Sequence, residues 1–140
     1  MKLRFGRIAI AVVAAEVLGV LALVVLVTIF GPPGFEAATP FAERLGAYVG
    51  PISGFVFCLL GGYWVARASA PFSVRNGLAT GAAAALLDFA IAATMADPFQ
   101  WLLLLSNAGR IMGGTLGGLL ASRKAQVARP NNSLERTREG

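Results

Sequence analysis

Four apolar stretches alternate with short polar connections along the chain, at about residues 8–30, 48–66, 76–96 and 100–121. Each is close to the length of about 20 apolar residues that a helix needs to cross a bilayer. The pattern therefore predicts an all-α membrane domain over residues 1–124, an antiparallel bundle of four spans. Residues 125–140 are polar, contain Pro130 and lack an apolar period, so they are predicted to be a disordered tail.

The first span follows a basic segment, which is also how a secretory signal begins. The apolar core of a signal usually has about 7–15 residues. Here the apolar run extends from Ile8 to Phe30 and is broken only by Glu16. A retained span is therefore the favoured interpretation, and cleavage near Ala37 is the alternative.

Prolines and glycines predict where the connections lie. The Gly-Pro-Pro-Gly run at 31–34 ends the first helix, because its prolines remove hydrogen-bond donors. Thr39 as N-cap and Pro40 at the first helical position predict a short helix at the membrane surface. Pro51 is placed in the first turn of the second span, and Asp97 is placed as the N-cap of the fourth.

Basic residues fall on one side of this arrangement. If the first helix starts in the cytoplasm, Arg44 is the only cation of the loops and termini that lies outside. Lys and Arg are enriched in cytoplasmic loops, so we predict a bacterial inner-membrane protein with both termini in the cytoplasm. The cations on the cytoplasmic side are Lys2, Arg4, Arg7, Arg67, Arg75, Arg123, Lys124, Arg129, Arg136 and Arg138.

Composition narrows the function classes. Hydrophobic residues make up 56% and charged residues 14% of the 140-residue chain, which is too apolar for an ordinary soluble domain. The net charge of +5 arises from cations between and beyond the spans, which argues against nucleic acid as a partner. With no histidine and one cysteine, Cys58, the chain excludes a Cys/His zinc site and an intrachain disulfide. We expect no cofactor and no metal, and we regard an enzyme as the least favoured class.

Small residues recur at helical spacing within the last three spans. Gly50, Gly54, Cys58 and Gly62 are four residues apart and form one stripe, along which another helix can approach closely. Such surfaces also predict a homodimer or a larger homo-oligomer. The glycines assigned to helix packing are Gly50, Gly54, Gly62, Gly81, Gly109, Gly113, Gly114, Gly117 and Gly118.

Three ionisable residues interrupt the spans: Glu16 in the first, Asp88 in the third and Arg110 in the fourth. Asp88 and Arg110 reach about the same depth, and Glu16 lies roughly 5 Å nearer the cytoplasm. A lone central charge costs about 2.5–3.5 kcal/mol on insertion scales. We therefore predict that the three side chains meet inside the bundle, next to Ser106 and Asn107, as a ligand- or proton-binding site.

The predicted cluster has structural and functional interpretations. Asp88 and Arg110 could form a buried ion pair that only fixes the register of two helices. Glu16 would then be a leftover carboxyl in a low dielectric, suited to exchanging protons. Alternatively, Glu16 is held protonated by a neighbouring helix or shares Arg110 in a three-membered cluster.

The segment Ala15-Glu16-Val17-Leu18-Gly19 resembles the first-span motif of the small multidrug resistance transporters, which are four-span dimeric exporters. The resemblance implies that Glu16 binds protons and cationic substrates in competition. The chain departs from that family in its long first loop and in carrying Asp88 and Arg110. In architecture it resembles the small four-span bacterial inner-membrane proteins of unassigned function.

Two functions follow from these patterns. The favoured one is an accessory or scaffold protein of the inner membrane, in which the charge cluster only holds the helices together. The alternative is a small proton-coupled transporter in which Glu16 is the proton-exchanging carboxyl.

Overall fold

A computed structural model describes residues 3–69, 72–94 and 101–127, which form four helices. Helix α1 is Phe5–Phe30, α2 is Phe35–Ala66, α3 is Ser73–Thr94 and α4 is Trp101–Val127. The all-α helical bundle predicted from the sequence is confirmed. By length and composition, α1, α2 and α3 are able to cross a membrane. Helix α4 is not among them, because its polar residues and five glycines lower its mean hydropathy.

Helices α1 and α4 occupy opposite corners of the bundle, with α2 and α3 between them. Both α1 and α4 pack against α2 and α3, which also contact each other. Among the described residues, no Cα atom of α1 lies within 8 Å of a Cα atom of α4. Any interaction between these two helices must therefore be made by long side chains.

The apolar core lies between the first half of α1 and its two neighbours. It consists of small and branched side chains, which allow the helices to approach closely. The second half of α1 has mostly exposed side chains, such as Val20, Val24 and Ile29. The core members are Ile8, Ala11, Val12, Ala15, Cys58, Val65 and Ala84.

Helix α2 corrects the prediction of a separate surface helix before the second span, because the two are parts of one helix. It is one helix of 32 residues that begins after Gly34, whose φ of 94° turns the chain. Thr39 is inside the helix and donates its hydroxyl to the Phe35 carbonyl at 2.9 Å, instead of capping a new helix. Pro40 and Pro51 are also internal. Each proline removes one backbone hydrogen bond, and α2 continues through both positions.

The other helix boundaries differ less from their predicted positions. Helix α3 begins at Ser73, three residues before the predicted start, and α4 continues to Val127. Residues 125–127 are therefore helical rather than part of a disordered tail, because Ala125 and Gln126 are compatible with a helix that continues from Lys124. Residues 95–100, with the predicted Asp97 cap, and residues 128–140 of the predicted tail lie outside the described residues.

Candidate functional site

Glycines bring α4 into backbone contact with both of its neighbours. Gly113 and Gly117 lie against the α2 backbone, and Gly114 and Gly118 lie against the α3 backbone. A Cβ atom on Gly114 would lie only 2.7 Å from the backbone nitrogen of Gly81. Real Cβ contacts are never this short, so these positions require glycine.

Glycines of α2 and α3 complete these backbone contacts. Two of the glycines predicted to pack helices, Gly50 on α2 and Gly109 on α4, do not take part in them. A Cβ atom on Gly62 would lie 2.6 Å from the Gly114 carbonyl oxygen. In contrast, Gly50 has open space around it, and Gly109 makes only ordinary contacts at 3.9 Å, so neither brings two helices together. Sequence reasoning missed Gly77, where a Cβ atom would lie 2.7 Å from the Gly118 Cα atom. Its position four residues before Gly81 was the available signal.

Arg110 extends from α4 into the space that Gly54 of α2 leaves free. A Cβ atom on Gly54 would lie 3.3 Å from Cγ, Nε and Cζ of Arg110. The absence of a side chain on α2 thus makes room for the guanidinium, and the Arg110 side chain is only 8% exposed.

The guanidinium of Arg110 binds side chains of two other helices. Its Nε and Nη2 atoms donate to Oε1 and Oε2 of Glu16 on α1, both at 3.1 Å. Its Nη1 atom lies 2.9 Å from Oδ2 of Asp88 on α3. Nη1 also donates to the hydroxyl of Ser106, one turn earlier in α4, at 2.8 Å. Such a bidentate arginine–carboxylate pair is the strongest common form of charged hydrogen bond.

Asn107 supports the second carboxylate. Its Nδ2 atom donates to Oδ2 of Asp88 at 2.9 Å and to the Leu103 carbonyl at 2.9 Å. Its Oδ1 atom is buried and has no hydrogen-bond partner within the part of the chain that the structure describes. A buried amide oxygen without a hydrogen-bond donor costs free energy. The site therefore contains one hydrogen-bond acceptor that is not satisfied by the described residues.

The charges of the cluster do not balance. With all groups ionised, Glu16 and Asp88 contribute two negative charges and Arg110 contributes one positive charge, which leaves a net charge of −1. The carboxylate side chains are only 17% and 21% exposed, for Glu16 and Asp88 respectively. One additional positive charge, carried by a proton or a cation, would neutralise the cluster.

The structure brings together all four side chains of the predicted ligand- or proton-binding site: Glu16, Asp88, Asn107 and Arg110. Glu16 is not a leftover carboxyl. It has the bidentate contact with Arg110, so the arrangement corresponds to the three-membered cluster. Whether this cluster binds a ligand stays a prediction.

A second buried polar group lies nearer the predicted cytoplasmic side and was missed. Asn76, expected to be the first residue of the third span, is fully buried and accepts a hydrogen bond from the Arg4 backbone at 3.2 Å. The Arg7 guanidinium lies 5.0 Å from the centre of the Trp64 ring, a cation–π contact between α1 and α2.

No family model, curated protein or solved structure matches the chain.

Proposed function

We propose that the protein is a multi-pass protein of the bacterial inner membrane that acts as a scaffold or accessory component. The distribution of polar and apolar residues supports a membrane environment. Asn76, Thr80 and Asn107 are at most 3% exposed. Large apolar side chains, among them Val24, Leu86 and Leu120, instead face outward. Water would favour the reverse arrangement.

Helix α4 fits the membrane despite its lower hydropathy. Its polar side chains, Ser106, Asn107 and Arg110, are buried among the other helices. Between residues 104 and 120, the large side chains on its outer faces are apolar and exposed. They include Leu104, Leu105, Met112, Leu116, Leu119 and Leu120. Lipid would therefore meet an apolar surface on α4, as it would on the other three helices.

The single observation that carries the scaffold proposal is that all four helices meet at Arg110. Helices α1 and α4 lack close backbone contact, and the Glu16–Arg110 ion pair spans the gap between them. Asp88 adds α3, and Gly54 gives the guanidinium its place beside α2. Buried ion networks of this kind specify one arrangement of the surrounding elements. In this proposal, self-association as a dimer or larger oligomer occurs through the outer apolar faces.

Replacing Glu16 tests the scaffold role. We expect Glu16→Gln to lower the free energy of unfolding in lipid micelles by about 1.5–3 kcal/mol, because a bidentate ion pair becomes a single hydrogen bond from the guanidinium to an amide oxygen. The matched control is Glu43→Gln, since Glu43 is an exposed carboxylate of α2. Equal stability of the two variants and the natural protein would contradict the proposal.

A second candidate, a small proton-coupled transporter, is favoured by the net charge of −1 in the cluster. The resemblance of the Glu16 segment to the small multidrug resistance transporters points in the same direction. This candidate predicts that Glu16→Gln abolishes a proton flux through reconstituted vesicles while leaving stability unchanged. The scaffold proposal predicts no proton flux through either protein and a loss of stability in the variant, so the two measurements separate the functions.

Topology provides a further prediction. Helix α2 is about 48 Å long at ~1.5 Å per residue, which exceeds a hydrocarbon thickness of about 30 Å. We place its Phe35 end outside the cell, together with the loop before it. In a Cys58→Ala background, a membrane-impermeant maleimide is expected to label Glu36→Cys in intact spheroplasts. It should label Arg67→Cys only after the membrane is opened, and the reverse pattern would invert the topology.

A further inference from the structure

Within the described residues, two oxygen atoms of the cluster have no hydrogen-bond donor, and both belong to the Asp88–Asn107 pair. Within the described residues, the hydrogen bonds and ion pairs of Asp88 all involve Oδ2, which leaves Oδ1 free. The amide oxygen of Asn107 is buried and unpartnered in the same part of the chain. Both oxygens of Glu16, in contrast, accept N–H groups of Arg110.

This difference decides which carboxyl accepts an added proton. A proton on Glu16 would remove the negative charge that the two guanidinium donors bind, and would weaken the bidentate contact. A proton on Oδ1 of Asp88 displaces nothing, because Oδ2 keeps its two donors. Asp88 is also the more exposed carboxylate, at 21% against 17% for Glu16.

The groups around Asp88 favour uptake of a single proton. Glu16 on α1 and Arg110 on α4 cancel each other, so the charge of Asp88 is the excess charge of the cluster. Cys58 on α2 also lies close enough to interact with the three charges, and it is a buried free thiol. A buried net charge is costly in a low dielectric, and protonation of one carboxyl removes it.

We propose that Asp88, rather than Glu16, is the proton-binding site of the cluster. The proton comes from bulk water and binds Oδ1 of Asp88. Oδ2 becomes the carbonyl oxygen of the neutral acid and keeps its contacts with Arg110 and Asn107. One proton thus removes the excess charge of the cluster.

Infrared difference spectroscopy of the protein in lipid bilayers tests this assignment. The chain has two aspartates, so Asp97→Asn leaves Asp88 as the sole aspartate. On acidification we expect the C=O stretching band of a protonated carboxyl to appear. It should shift when the protein contains carboxyl-¹³C aspartate and should not shift with carboxyl-¹³C glutamate. Because this measurement uses the intact cluster, it does not depend on whether Asp88 variants fold.

Variants sharpen the test. We expect Asp88→Asn to lose the band. In Glu16→Gln the band should appear only at lower pH, because without the Glu16 charge Asp88 is paired with Arg110 in a neutral cluster. Asn107→Leu should move the band to higher frequency, because the carbonyl oxygen of the neutral acid, Oδ2, loses the hydrogen bond from Asn107. A band that shifts with labelled glutamate, or no band at any pH at which the protein stays folded, would overturn the proposal.

The inference rests on the assembled cluster of the proposed scaffold, but its failure is distinguishable from the failure of that function. Loss of stability in Glu16→Gln reports on the scaffold, whereas the isotope-sensitive band reports on the proton site. A stable Glu16→Gln variant, together with an aspartate band in the protein with the intact cluster, would reject the scaffold and keep the proton site. The opposite pair of results would reject the proton site alone.

Discussion

Gly114→Ala is expected to destabilise the bundle by about 3 kcal/mol, at the upper end of the range for overpacked interiors. A methyl group at this position would lie 2.5 Å from the Gly77 carbonyl oxygen and 2.8 Å from the Gly81 Cα atom. These neighbours are backbone atoms and cannot rotate away, so α3 and α4 would have to separate. Separation would also move Arg110, one turn earlier on α4, away from its carboxylate on α3.

Gly109→Ala is the matched control for this prediction. A Cβ atom on Gly109 would make only ordinary contacts at 3.9 Å, although Gly109 is a glycine of the same helix, α4. Alanine should be neutral there or stabilise the helix slightly, because it has the higher helix propensity. Unfolding of both variants in mixed micelles by a denaturing detergent measures the difference. Equal stabilities would show that the close approach of α3 and α4 is not needed.

The sequence predicted the helices well because each apolar run is bounded by charges, prolines or glycines. The start of α2 was the main error. Thr39 and Pro40 form a good helix-start signal, but the same residues are compatible with a helix that has already begun at Phe35. A local signal cannot distinguish a new helix from the continuation of an existing one when the preceding residues, 35–38, are also helix-compatible.

The meeting of the three charges was predictable from depth alone, since a membrane interior leaves few alternatives for Arg110. Which carboxylate takes the bidentate contact was not predictable. Asp88 is on a helix adjacent to α4 and seemed the natural partner, whereas Glu16 is on the helix at the opposite corner. Gly54 determines the outcome by letting the guanidinium extend towards α1, and this effect depends on three-dimensional packing.

Arg110→Met is expected to have the largest effect, a loss of about 3–5 kcal/mol in the free energy of unfolding. Methionine retains much of the side-chain length but removes every donor of the guanidinium. Glu16 would lose both of its hydrogen bonds and Asp88 would lose its ion pair. Two uncompensated carboxylates would then share a buried site, and α1 would lose its connection to α4. Arg44→Met, at an exposed arginine of α2, is the control and should be close to neutral.

The combined variant Glu16→Gln/Asp88→Asn/Arg110→Met separates the energy of the cluster from the cost of breaking it. Replacing a complete buried ion network by neutral groups is often close to neutral in stability, whereas removing one partner is strongly destabilising. We therefore expect the combined variant to recover most of the stability lost in Arg110→Met. The loss of stability caused by Arg110→Met should itself become smaller as the pH is lowered, because protonation neutralises the two unpaired carboxylates. Micelle unfolding curves at two pH values test both expectations.

If Arg110→Met is as stable as the natural protein at neutral pH, then Arg110 does not hold the four helices together. If the combined variant is no more stable than Arg110→Met, unpaired charge is not the cause of the loss.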